Sequence, residues 1–109
     1  MGDRMELVQG TLDLLILKAL ALEPMHGWAI SQRLRQLSDG VLSVQQGSLY
    51  PALQRLELKG WLTSEWRTAE SNRRAKFYAL SKSGRRHLEQ ETADWRRFTA
   101  AVQQVLQTT

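Results

Sequence analysis

Gln46–Leu80 reads QGSLYPALQRLELKGWLTSEWRTAESNRRAKFYAL, and its two halves carry different periodicities. In the first half Leu49, Leu53 and Leu56 recur at helical spacing, and Gly60 stops the run. Proline fits a helix only where the backbone N–H is already an orphan, so Pro51 implies a start near Ser48, with the serine hydroxyl as cap. With the leucines inward, that register turns Tyr50, Pro51, Gln54 and, more obliquely, Arg55 outward. The second half holds two β-prone runs, Trp61–Arg67 (WLTSEWR) and Ala75–Leu80 (AKFYAL). Between them Thr68–Arg74 (TAESNRR) is polar and reads as a hairpin loop. A helix with a polar outer face is thus followed by a two-stranded hairpin.

Upstream, Leu12, Leu15, Ile16, Ala19 and Leu20 form a helical stripe over Thr11–Glu23, with Leu14, Leu17 and Leu22 as a second apolar face. Thr11 is the expected cap and Pro24 the stop. Trp28, Ile30, Leu34 and Leu37 give a shorter helix closed by Ser38-Asp39-Gly40, with Arg33 and Arg35 outward. Downstream, Ser81 caps a last helix that runs to about Gln107. The order predicts a mainly α fold with a small two-stranded β wing: a winged helix-turn-helix over 1–80. A long C-terminal dimerisation helix covers 81–109, and the whole forms one compact unit.

Net charge is +4, from 15 Lys+Arg against 11 Asp+Glu, but it is not spread evenly. From Arg67 to Arg86 the basic residues Arg67, Arg73, Arg74, Lys76, Lys82, Arg85 and Arg86 meet a single acid, Glu70, so this segment carries +6 and the remainder −2. Localised positive charge suits a polyanion, because each neutralised phosphate releases condensed counterion. In a winged helix the third helix enters the major groove and the hairpin lies over phosphates or the minor groove. Gln46, Ser48, Tyr50, Gln54 and Arg55 are therefore the candidate reading residues, and Arg73, Arg74 and Lys76 the candidate wing contacts, for double-stranded DNA.

On the last helix Leu88, Trp95 and Val102 repeat at seven, as do Glu91, Phe98 and Val105. This a/d seam, imperfect at Glu91 and continued by Leu106, is longer than so small a core can cover, and points to a second copy of the chain. An intramolecular amphipathic helix is the competing reading.

Other functions find little support in 109 residues without a cysteine, which excludes thiolate metal sites and a cysteine nucleophile. His26 and His87 lie in different elements with no nucleophile–carboxylate partner, and His26 reads as a packed or capping imidazole. The acids are scattered and no phosphate-cradling glycine loop occurs, so neither metal nor cofactor is expected. No apolar run approaches the ~18 residues of a membrane span and no signal-peptide core is seen, so a cytoplasmic protein is expected. The remaining alternatives are a winged helix used for protein–protein contact, against which the +6 segment argues, and an RNA binder, for which no aromatic-rich sheet is evident.

The blocks Gly10–Leu17 (GTLDLLIL), Pro24–Ile30 (PMHGWAI), Gln46–Glu57 (QGSLYPALQRLE), Asn72–Leu80 (NRRAKFYAL) and Ser81–Arg85 (SKSGR) resemble the PadR-like transcriptional regulators, from about Leu7 to Leu106. The chain is similar to short-tailed members of that family and to a subgroup common in acidobacteria. The resemblance implies a homodimeric winged-helix repressor on a palindromic operator, with the last helix as dimer interface. Trp28 departs from the family's usual tyrosine, a change expected to alter packing little. Trp95 (in ADWRRF) stands where the drug-responsive branch stacks flat ligands. Two readings stay open for it: dimer packing alone, or packing plus stacking on a small aromatic effector, with Glu91 one turn away.

Overall fold

A computed structural model describes residues 5–6 and 9–108; Leu7, where the resemblance begins, lies outside them. In chain order the elements are β1 (Met5–Glu6), α1 (Gln9–Leu20), β2 (Met25–His26), α2 (Gly27–Leu37), β3 (Leu42–Ser43), α3 (Gln46–Leu58), β4 (Leu62–Thr68), β5 (Arg74–Leu80) and α4 (Lys82–Leu106). The leucine stripes converge as their spacing predicts. Ile16 and Leu17 of α1, Ile30 of α2, and Leu49, Leu53 and Leu56 of α3 are fully buried together with Leu62.

Helix boundaries differ from the sequence reading at both ends of α1 and at the start of α3. α1 begins at Gln9, so Thr11 lies inside its first turn and not at the cap position. It also ends at Leu20, with the Ala21 N–H bonded to the Lys18 carbonyl at 3.1 Å. Leu22 is then 72% exposed rather than part of a second apolar face. Pro24 marks the entry to β2, not the end of the helix. Trp28 and Leu37, counted in the α2 stripe, are likewise exposed, and only Ile30 and Leu34 of that stripe are buried.

α3 starts two residues before Ser48, and Gln45 is its N-cap with no side-chain capping bond. The Gln45 carbonyl accepts from both Ser48 and Leu49 N–H, at 3.0 and 2.9 Å, and this backbone turn nucleates the helix without the serine hydroxyl. Pro51 consequently lies inside the helix, where it leaves the Gly47 carbonyl without its i+4 donor. Gly47 is exposed, so water can serve that carbonyl.

The wing pairs antiparallel from Leu62↔Leu80 to Thr68↔Arg74. Its turn closes through Ala69 N–H to the Arg73 carbonyl at 2.7 Å, with Asn72 at φ 66, a left-handed conformation that asparagine tolerates. Two short pairings were not anticipated. β2 adds to β5 through Met25↔Tyr78 and His26↔Phe77, which makes the sheet three-stranded in the order β2-β5-β4, and β1 pairs parallel with β3.

Ser81 caps α4 as predicted, its hydroxyl oxygen accepting from the Gly84 N–H at 3.0 Å. The Ser81 and Ser83 hydroxyls lie 2.6 and 2.9 Å from the Gly60 carbonyl, which ties the helix start to the α3–β4 turn. A Cβ at Gly84 would collide with the Trp61 carbonyl oxygen, so the approach needs glycine. Leu88, expected in the dimer seam, is instead 8% exposed within the chain's own core, because the first turns of α4 pack on α1.

Candidate nucleic-acid interface

Helical geometry puts Gln46, Ser48, Tyr50, Pro51 and Gln54 on the exposed side of α3, opposite its buried leucines. Arg55 departs from the expected pattern. Its guanidinium turns back to the Asp13 carboxylate of α1 at 2.7 Å, so the side chain is half-buried and braces α3 against α1. The carboxylate supplies a strong partner within reach, and an oblique position on the helix lets the long arginine stem take either course.

The basic segment divides in the same manner. Arg73 and Arg74 are exposed at the hairpin end, and no side-chain ion pair holds either among the described residues. Lys76 reaches the Glu57 carboxylate of α3 at 3.4 Å and lies 5.6 Å from the Tyr78 ring centroid. Arg67 pairs with Glu65 at 3.3 Å and covers the Phe77 ring at 5.1 Å. Arg85 faces the groove between α1 and α4. Lys82, Arg85 and Arg86, at the start of α4, are likewise exposed and in no ion pair among the described residues, so on the wing itself the free positive charge is at Arg73 and Arg74.

Glu57, to which no role was assigned from sequence, joins helix to wing. Besides Lys76, it accepts the Ser64 hydroxyl of β4 at 2.5 Å. The Ser64 hydrogen bond, aided by Lys76 and opposed by partial burial, holds this carboxyl below the usual carboxylate range. Strand alternation places Ser64 and Trp66 on the same sheet face, with Lys76 opposite Trp66, so one face of the wing is turned to α3.

Between that face and the start of α2, with Tyr50 of α3 on its wall, runs a cleft of about 500 Å3. It brings Tyr50, Arg73, Arg74 and Lys76 together, while Gln46, Ser48, Gln54 and Arg55 do not line it. Gly27 and Trp28 at the start of α2 complete the wall, and Tyr78 is buried against it, its phenol pushed up in pKa chiefly by burial. A Cβ on Gly27 would stand 2.7 Å from Tyr50 Cε1, so glycine lets that ring lie across the helix start. His26 caps α2 through Nδ1, accepting from the Ala29 N–H at 3.3 Å, and meets Phe77 edge-on at 5.2 Å. The capping imidazole expected from sequence is therefore present.

Past Leu88, α4 leaves Trp95, Phe98, Val102, Val105 and Leu106 exposed. A groove of about 740 Å3 lies beside them, between α1 and α4, with Leu14, Leu15, Ala21, Leu42 and Leu88 in its lining. A smaller cleft of about 290 Å3 brings Trp95 and Glu91 together with Thr11, Leu14, Asp94 and Phe98. Glu91 also lies 3.4 Å from His87, whose ring stacks on Trp61 at 3.5 Å between centroids. Among the described residues no cluster of metal-ligating side chains occurs, and no helix is long and apolar enough to cross a membrane.

Comparison with known proteins agrees with this geometry. Residues 16–90 match the transcriptional regulator PadR-like family. A PadR family transcriptional regulator from Eggerthella lenta is 34% identical, with a TM-score of 0.77 over 93% of this chain and 86% of its own. A PadR family transcription regulator from Clostridium difficile is 28% identical, with a TM-score of 0.75 over 87% and 97% of the two chains. A transcriptional regulator from Clostridium thermocellum is 25% identical, with a TM-score of 0.80 over 88% and 93%.

Proposed function

The chain belongs to the PadR-like family of transcriptional regulators, and from that premise we propose that it is a homodimeric repressor reading a palindromic operator. It is a DNA-binding regulator and not an enzyme. The observation that carries the reading is the exposed polar face of α3, with Gln46, Ser48, Tyr50 and Gln54, set beside the unpaired Arg73 and Arg74 of the wing. Gln54 has the donor and acceptor to bond an adenine edge, and the wing arginines supply charge for phosphate without sequence preference. Arg55, engaged by Asp13, holds the reading helix in place instead of reading bases.

Residues 1–80 form the DNA-binding part and 81–109 the dimerisation helix, with Leu88 as the anchor that fixes that helix to the core. The exposed row from Trp95 to Leu106 is an apolar face without a core beneath it, and the groove between α1 and α4 is its apolar counterpart. Two copies related by a two-fold axis would fill each other's grooves and present two reading helices to two half-sites. A dimer seated on a promoter represses by occupancy. The cleft at Trp95 and Glu91 suits a flat aromatic effector carrying positive charge, since Asp94 and Glu91 both line it.

Light scattering and a nuclease footprint on the DNA upstream of the protein's own gene test this reading. It requires a dimer and a protected inverted repeat whose half-sites are spaced by about one helical turn, roughly 10 bp. A monomer, or uniform cleavage across that DNA, contradicts it.

A further inference from the structure

The cleft between the wing and the start of α2, walled also by Tyr50 of α3, is more aromatic than phosphate binding needs. Trp28 is 57% exposed, Trp66 59% and Tyr50 46%, all three on its walls. Its lining also contains no Asp or Glu, whereas the cleft beyond the wing includes Glu23 and Glu70, and the two beside α4 include Glu89, Glu91 and Asp94. Trp66 shares a sheet face with Leu62 and Ser64, but Leu62 is in the core while Trp66 lies beyond it and stays largely exposed.

We propose that this cleft grips one sugar–phosphate strand of duplex DNA, with the Trp28 and Trp66 indoles against deoxyribose faces and Arg73 and Arg74 on the adjoining phosphates. The proposal rests on the DNA-binding reading above and adds two contact residues to it. When α3 occupies the major groove and the hairpin reaches the neighbouring minor groove, the ridge between the grooves is a single phosphodiester strand. The cleft, which adjoins α3 at Tyr50 and the hairpin at Arg73 and Arg74, would receive that ridge. A deoxyribose offers apolar C–H faces between charged phosphates, and an indole matches both, with its flat face for the sugar and its Nε1–H for a phosphate oxygen. An acid-free wall keeps the passage favourable to the anion.

The test uses full-length protein labelled with 5-fluorotryptophan, its four fluorine resonances assigned by single Trp→Phe variants. The probe is a 30-bp duplex of random sequence. Saturation should shift the Trp28 and Trp66 resonances and leave Trp61, stacked on His87 outside the cleft, in place. Trp66→Ala should weaken binding on the order of tenfold with an unchanged salt slope, because it removes apolar contact and no charge. Trp66→Phe, which keeps a flat apolar ring, should recover most of that loss. If wild-type protein binds the duplex while the Trp28 and Trp66 resonances stay fixed and Trp66→Ala binds equally well, the clamp is overturned and the DNA-binding reading stands. Failure of the wild-type protein to bind duplex overturns both.

Discussion

Replacing Glu57 by glutamine tests how α3 and the wing are held as one surface. The carboxylate accepts the Ser64 hydroxyl at 2.5 Å, a charge-assisted bond of about 1.5–3 kcal/mol that falls by roughly half when the acceptor is a neutral amide. The Lys76 pair at 3.4 Å adds only about 0.5 kcal/mol, since both side chains are a third or more exposed. Glu57→Gln should therefore cost about 1–2 kcal/mol at pH 7, a drop of roughly 4–8 °C in Tm for a chain of this size. The folded carboxyl titrates below its unfolded value, so its contribution is present above the usual carboxylate range and fades as pH falls through the folded value. The gap between wild type and variant should be full at neutral pH and close in acid below that range. Thermal unfolding followed by circular dichroism across this pH range provides the measurement. Equal Tm values at pH 7, or a gap that persists unchanged in acid, would refute the role given to this carboxylate.

Other substitutions separate the remaining parts of the account. Gln54→Ala should weaken operator binding by about 1–3 kcal/mol while leaving random duplex untouched, as read from paired anisotropy titrations. Val102→Glu buries a charge in the proposed dimer face, and light scattering should find monomer; a mutant that stays dimeric refutes that face. Gly84→Ala drives a Cβ onto the Trp61 carbonyl and should cost about 1–3 kcal/mol in denaturant unfolding, with a wild-type melt counting against the close approach.

Much of the architecture is legible in the chain because leucine spacing and turn residues act locally. The spacing of Leu49, Leu53 and Leu56 alone defines the buried side of α3, and hence its exposed face. Ser81 behaved as the cap its position implied. What could not be read depends on partners remote in sequence. Arg55 is turned by Asp13, which is 42 residues away. Lys76 and Ser64 are drawn to Glu57 from two different strands. Heptad spacing describes Leu88 and Val102 alike, yet α1 covers only the first, and nothing in a seven-residue period states where the core ends. The strand Met25–His26 is two residues long and exists only because β5 offers an edge. For Trp66 a signal was present, since hairpin alternation puts it on the face of Leu62 and Ser64.

The central claim is that free charge at Arg73 and Arg74 meets phosphate. Its most direct test is the salt dependence of duplex binding, by anisotropy of a labelled duplex, for the wild-type protein and the Arg73→Ala/Arg74→Ala variant. Each lost phosphate contact should lower the slope of log K against log salt by about 0.9, or roughly 1.8 for each chain, with affinity falling for all sequences alike. A wild-type slope near zero, or an unchanged slope in the variant, would contradict the account.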